Sequence, residues 1–319
     1  MLGEKPLTVL FLLFLLSPVT EMSAQQCVSQ SIDVPVVLTR MDTYTDPTSQ
    51  KIDTTRQRED LVKDFGLDNF QVRVGGSEAL VQSAVVDKGP KRVVFVLDAT
   101  KLVDEKGWGR AIGTLKKILL YARKTDMFAF VFAGADAPTN TFLSLSEAKG
   151  LLEKLRNARP VTAVTETRIY DALLEGAKRL DPPQFGDVVI FDGRVVDSGS
   201  NTTLSDLIKV FVKNRIRFIG LNETRSETYV DFDSRTLPFP GFSVPKLAGL
   251  SDATGYFIWG ANSGWESAFL RDIIAEPYRL TIATPARADP AVLDIKLVPG
   301  SKKKKVEGII FHFPRYISP

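Results

Sequence analysis

Val93-Val94-Phe95-Val96-Leu97-Asp98 is an unbroken apolar run closed by a carboxylate, with Thr100 two positions beyond it. A strand buried on both faces reads this way, and it delivers its terminal acid to the top edge of a parallel α/β sheet. A second run, Val188-Val189-Ile190-Phe191-Asp192, ends alike and is followed by Gly193. Two carboxylates on one rim can hold a cation, a ligand or a reacting group.

Around these runs, residues 91–275 alternate strand-length apolar stretches with helix-period segments. The expected strands are Val93–Leu97, Phe128–Phe132, Val188–Phe191, Arg217–Leu221 and Tyr256–Trp259, with Thr141–Leu145 as a short edge strand. Between them Trp108, Ile112, Leu115, Leu119 and Ala122 share one helical face, and Ile169, Leu173, Ala177 and Leu180 share another. Ser144 with Glu147, Thr203 with Asp206, and Ser263 with Glu266 have the spacing of helix-capping pairs. The pattern predicts a doubly wound, mainly parallel sheet with helices on both faces.

The flanks read as β structure. Ile32–Thr39, Asn69–Val74 and Ala79–Val86 precede the α/β region, and Tyr278–Ala283, Val292–Val298 and Val306–Phe313 follow it. Asp42–Gln57 reads as a loop or ragged hairpin and Arg58–Asp64 as a short helix. Neither flank has enough strands for a comfortable core of its own. The economical expectation is an α/β domain (91–275) inserted in a β-sandwich built from residues 25–90 and 276–319.

The first 24 residues differ from the rest. Lys5, the ten-residue apolar stretch Leu7–Leu16 and the polar stretch ending at Ala24 have the order of a secretory signal peptide. The apolar core is shorter than the ~20 residues a spanning helix needs. The expectation is a secreted or periplasmic protein, cleaved near Ala24, with no transmembrane span in the mature chain. The whole chain has 41 basic and 38 acidic residues; the leader holds one and two of them, leaving 40 against 36. That balance is too mild and too dispersed to imply nucleic acid, and the expectation is no nucleic-acid partner. One cysteine, Cys27, forms no intrachain disulfide, so core burial must stabilise the fold.

Most chemistries lack their parts. The only histidine, His312, is flanked by Phe311 and Phe313 in an alternating strand, which suits a sheet position better than a catalytic triad. No glycine-rich phosphate cradle follows the first parallel strand. One His and one Cys serve zinc poorly. A hard cation remains, because Asp98, Thr100, Thr167 and Asp192 offer oxygen donors on loops that meet at one rim. The competing interpretation is helix capping, since Asp and Thr are ordinary caps. Lys302–Lys305 reads as a solvated hairpin turn, and Phe257, Trp259 and Trp265 as core. Leu237-Pro-Phe-Pro-Gly-Phe242 is a stiff apolar loop that either covers the rim or meets a partner.

Asp98-Ala-Thr100-Lys-Leu102, Thr167-Arg-Ile-Tyr-Asp-Ala-Leu and Phe191-Asp192-Gly193 together resemble the three-part motif of von Willebrand factor type A domains. The wider chain resembles a secreted family related to that domain and known mainly from acidobacteria. Leu67–Gly76, Leu250–Gly255, Tyr278-Arg-Leu280, Val292–Leu297 and Arg315-Tyr316 carry that likeness. The resemblance implies a bacterial adhesion-type module that holds Mg²⁺ or Mn²⁺ through Asp98, Thr100, Thr167 and Asp192 and accepts a partner protein's acidic side chain. It also marks the rim as degenerate. Leu102 stands where the family has a second hydroxyl, Lys101 adds a charge beside it, and water, Asp104 or Glu166 would have to substitute. The expectations are therefore a non-enzymatic protein-binding module with a degenerate MIDAS-like rim, then a metal-free scaffold binding through loop 235–245, and last a metal-assisted hydrolase.

Overall fold

The structure is a computed structural model. It describes residues 29–45, 52–134, 141–160, 166–193, 197–222, 276–285, 290–300 and 309–318, together with 247, 250, 253, 254, 258 and 259. Of residues 40–45 and 52–61 it describes the backbone alone. The chain opens with β1 (Ser29–Thr45), β2 (Ile52–Leu61), β3 (Phe70–Val74) and β4 (Ser77–Val86). It then alternates through β5 (Arg92–Asp98), α1 (Glu105–Tyr121), β6 (Met127–Ala133), α2 (Leu145–Asn157), α3 (Ile169–Arg179), β7 (Val188–Asp192), α4 (Leu204–Lys213), β8 (Arg217–Asn222) and β9 (Ile258–Trp259). It closes with β10 (Tyr278–Pro285), β11 (Ala291–Leu297), β12 (Ile309–His312) and β13 (Tyr316–Ile317).

The middle strands make a five-stranded sheet in the order β6-β5-β7-β8-β9, every pair parallel. Side chains alternate across a strand, so both faces of β5 need cover. Val93, Phe95 and Leu97 pack with Trp108, Ile112, Leu115 and Leu119 of α1 and with Ala148 and Leu152 of α2. Val94 and Val96 pack on the opposite face with Ile169, Leu173 and Ala177 of α3 and with Leu207 and Phe211 of α4. This two-sided cover is why the strand is apolar without a break. Each fully buried side chain of this size contributes about 1.5–3 kcal/mol of transfer free energy.

The terminal strands form an antiparallel sheet in the order β12-β1-β10-β4-β3-β11-β13, with β2 pairing the far half of β1. Strands from both ends of the chain thus share one core. Ile32, Val34, Val36 and Leu38 meet Phe70, Val72, Val74, Leu280, Ile282, Leu293 and Ile295 there. The alternating burial of β3 and β10 matches the alternating sequence. The α/β segment leaves and returns at adjacent points: Val86 pairs with Tyr278, and Asp87 N–H donates to Pro277 O at 2.8 Å.

A charged cluster joins the two sheets below the parallel strands. Glu276 pairs with Lys63 and, at 3.0 Å, with Arg123. Arg92 grips Asp187 through Nε at 3.0 Å and Nη2 at 2.5 Å. Lys91, 1% exposed along its side chain, pairs with Asp87 and lies over the Phe185 ring. Burial, then Arg217, Arg279 and Arg123, pull the Lys91 ammonium down to about 8, while Asp126 pulls upward.

Three local expectations change. Arg58–Asp64 is not a helix; residues up to Leu61 belong to β2, paired with Thr39–Thr45 of β1. Within the 42–57 stretch, the described residues Asp42–Thr45 and Ile52–Gln57 lie in paired strands, the hairpin alternative. Thr141–Leu145 shrinks to one bridge between Leu143 and Phe128, and α2 begins at Leu145. β13 was not read from the sequence. The leader, Cys27, Ser263 and Glu266, Lys302–Lys305, loop 235–245, Phe257 and Trp265 lie outside the described residues, as does the side chain of Trp259. No described helix is long and apolar enough to cross a membrane.

Candidate functional site

β5 and β7 carry their acids to the same edge of the parallel sheet. Leu97 pairs with Asp192, so Asp98 lies one position beyond on the neighbouring strand. Gly193 permits this approach, since a Cβ on it would sit 2.5 Å from Asp98 Cβ. Asp98 and Thr100 form one unit. Asp98 Oδ1 accepts from Thr100 N at 3.0 Å and from Thr100 Oγ1 at 2.6 Å. The other oxygen, Asp98 Oδ2, is buried with no hydrogen-bond partner.

Thr167 reaches the same edge through α3. Leu180, at the end of α3, accepts from Arg92 at the start of β5, and Gly176 lies against Val94 and Val96. From that anchor the helix rises about 1.5 Å per residue and the strand about 3.3 Å. The start of α3 therefore lies level with Asp98. The capping interpretation of Thr167 fails, because the N-cap position belongs to Arg168 and no side chain of its own caps the helix. Asp197 caps from across the site, its Oδ1 accepting from Ile169 N at 2.7 Å and Tyr170 N at 3.2 Å. The loop after β7 also clasps Thr167. Ser198 N and Gly199 N donate to Thr167 O, and Ser198 Oγ lies 3.1 Å from Thr167 N and 3.3 Å from Thr167 Oγ1.

Strand register puts Asp98, Thr100 and Asp192 at one edge, helix length brings Thr167 level with them, and each is deeply covered: Asp98 2%, Thr100 0%, Thr167 0% and Asp192 3% exposed. The expected substitutes are not among them. Asp104 caps α1, accepting from Gly107 N at 2.6 Å, and Glu166 is exposed and 3.8 Å from Arg168. Leu102 is 40% exposed. Sequence reading missed Arg159, which donates to Val103 O at 2.5 Å and to Thr100 O and stacks 5.3 Å from the Trp108 ring. It fixes the loop from Thr100 to Val103 from behind. No spacing announces it. Asp197 and Ser198 had a signal, the turn-forming run Asp197-Ser-Gly-Ser200.

Two carboxylates with two hydroxyls make a hard-oxygen donor set, which suits Mg²⁺ or Mn²⁺. The orphaned Asp98 Oδ2 is the position a cation would fill. Among the described residues no three His, Cys, Asp or Glu side chains gather, so hydroxyls and water must complete any coordination. His312 lies on the antiparallel sheet, paired with Val37, its Nε2 3.4 Å from Thr39 Oγ1. A cavity of about 20 Å³ between β1, α4 and β13, lined by Asp33, Phe211, Arg215, Thr254 and Tyr316, has room for about one water.

No protein-family model and no curated protein matches the chain. Among solved structures it is similar to a von Willebrand factor type A protein from Catenulispora acidiphila, at 13% identity and a TM-score of 0.44, over 92% of this chain and 75% of that one. It is similar to proximal thread matrix protein 1 from the mussel byssus, solved with a zinc-occupied MIDAS motif, at 16% identity and 0.40, over 62% and 49%. It is also similar to the manganese-loaded TRAP protein of Plasmodium vivax, at 14% and 0.37, over 72% and 94%. Likenesses this distant decide nothing about the rim. What the structure itself establishes is a doubly wound parallel sheet in which β5 and β7 end side by side in Asp98 and Asp192.

Proposed function

We propose that the chain is an exported, non-enzymatic protein-binding module of the von Willebrand factor A type, set in a β-sandwich built from both ends of the chain and working through a degenerate MIDAS-like rim. Asp98, Thr100, Thr167 and Asp192 hold Mg²⁺ or Mn²⁺, and the cation accepts an acidic side chain from a partner protein. The supporting observation is Asp98 Oδ2, buried and without a hydrogen-bond partner while Oδ1 is committed to Thr100. A buried carboxylate oxygen is costly to leave unmatched, and a hard cation matches it. The test is calorimetric titration with Mg²⁺ and Mn²⁺ after EDTA, beside Asp98→Ala and Asp192→Ala. Saturable binding lost in both variants supports the reading; an absence of cation-dependent heat and stabilisation rejects it.

A second reading is favoured by the deep cover of the rim, the exposed Leu102 and the Arg159 guanidinium on the Thr100 carbonyl. In it the fold is a metal-free scaffold that binds through loop 235–245. A cation-independent interaction abolished by deleting Leu237–Phe242 would support it. A metal-assisted hydrolase comes last, since the only histidine sits on the other sheet. Turnover on a hydrolase panel, abolished by Asp192→Ala, would reverse that order.

A further inference from the structure

The rim as read above is one hydroxyl short, because Leu102 points its 40%-exposed side chain outward and carries no oxygen. The loop after β7 brings another hydroxyl to the same place. We infer that Ser198 supplies the missing oxygen donor, on the solvent side of Thr167. The inference rests on the cation reading.

The spacing fits. An octahedral ion with bonds of 2.0–2.1 Å holds neighbouring ligand oxygens about 3 Å apart. Ser198 Oγ and Thr167 Oγ1 are 3.3 Å apart, within a few tenths of an ångström of that edge. The hydroxyl is also held in place. Ser198 N and Gly199 N donate to Thr167 O at 3.0 and 3.1 Å, and Asp197 is fixed by the two amides at the start of α3. Ser200 Oγ braces Asp197 at 2.6 Å and accepts from Asp171 N at 3.1 Å. Gly199 closes the loop against the chain before α3, since a Cβ there would lie 2.8 Å from Glu166 Oε2. Ser198 itself is exposed while Thr167 is fully covered, so the residue that carries the added hydroxyl borders solvent beside a buried one. Ser198 Oγ accepts from Thr167 N and still has a lone pair for a cation.

The plain competitor is a tether. Ser198 could hold Thr167 by hydrogen bonds and never touch an ion. A thiol at this position separates the two roles, because sulfur prefers soft cations and a tether has no such preference. The experiment measures Mn²⁺ and Cd²⁺ affinity by calorimetry on the purified chain, with Cys27→Ser as the background for every variant. Ser198→Ala should weaken Mn²⁺ by about 10-fold or more, the scale on which support around metal sites acts. Ser198→Cys should shift the preference from Mn²⁺ toward Cd²⁺ by about 10-fold or more. Ser198→Thr keeps the oxygen and should keep Mn²⁺ affinity within about 3-fold. Unfolding midpoints in EDTA report the tether role separately. Mn²⁺ binding that Asp192→Ala removes but Ser198→Ala leaves intact overturns the inference and spares the cation reading. So does a Ser198→Cys variant that folds, loses Mn²⁺ and gains no Cd²⁺ preference. If the background chain binds neither metal, the cation reading fails and this inference falls with it.

Discussion

Gly193→Ala should destabilise the protein, while the same change at Gly150 should stabilise it. A Cβ on Gly193 would meet Asp98 Cβ at 2.5 Å, Phe191 at 3.1 Å and Asp98 N at 3.3 Å. Carbon atoms rest about 3.5–4.0 Å apart, so the pair must separate by roughly 1 Å. Neither side gives easily. Asp98 ends a strand paired on both edges, and its Oδ1 is tied to Thr100. Overpacking of this kind costs about 1–3 kcal/mol. Gly150 is an exposed interior residue of α2, and a Cβ there meets nothing within 4 Å. Alanine in place of such a glycine gains about 0.5–1 kcal/mol, because the unfolded chain loses freedom. Urea unfolding followed by tryptophan fluorescence reads both, since Trp108, one of three tryptophans, is 4% exposed and packed beside Phe132. Gly193→Ala should also weaken any Mn²⁺ binding by displacing Asp98. Unchanged or raised stability in Gly193→Ala would refute the apposition of the two rim strands.

Other substitutions test the supports of the rim. Arg159→Met should cost about 2 kcal/mol in urea unfolding, from lost charged hydrogen bonds to Thr100 O and Val103 O and the lost stack on Trp108. Asp197→Ala should cost about 1–2 kcal/mol as a lost helix cap, with faster amide exchange confined to Ile169 and Tyr170, and Asp197→Asn should recover part of it. Burial pushes the Tyr278 phenol up to about 12, against the Phe65 N–H it accepts at 3.0 Å. Its folded value exceeds the ordinary value near 10, so the stability it contributes is complete below pH 10 and is lost as pH rises through about 12. Tyr278→Phe should flatten the decline in urea midpoint above pH 10, and an undiminished decline would reject that assignment.

What the sequence revealed was local or two-sided. The buried strands β5 and β7 stand out because helices cover both faces, leaving no polar position to interrupt the run. The Ser144–Glu147 and Thr203–Asp206 caps stand out because each partner is three residues away, and both form. The Asp98–Thr100 unit is legible for the same reason. The errors are non-local. Arg58-Glu59-Asp60-Leu61 carries too many charges to show a strand, and it becomes one only by pairing with β1 across the hairpin. The cap of α3 comes from Asp197, 28 residues beyond Ile169 along the chain, and no local spacing encodes it. Arg159 follows α2 yet acts on the β5–α1 loop, so only the folded chain gives it a role.

The two ends of β5 carry different burdens. Arg92, at its start, grips Asp187 within the charged cluster that joins the sheets, and Asp98, at its end, belongs to the rim. Six residues of strand place these roughly 20 Å apart. Substitutions at the rim should therefore leave the junction intact. The same separation turns Asp98 into a discriminating residue. A metal-free scaffold needs Gly193 for packing, but it needs no acid beside it. An unmatched buried polar oxygen costs about 1–3 kcal/mol, and more when charged. Asn at position 98 would keep the size of the side chain and the bond to Thr100 while removing the charge. If Asp98→Asn raises the unfolding midpoint in EDTA and abolishes stabilisation by Mn²⁺, the acid serves the cation at the expense of the fold. A scaffold that had lost its ion would gain from the substitution in EDTA and in Mn²⁺ alike, and that equality would remove the cation from the account.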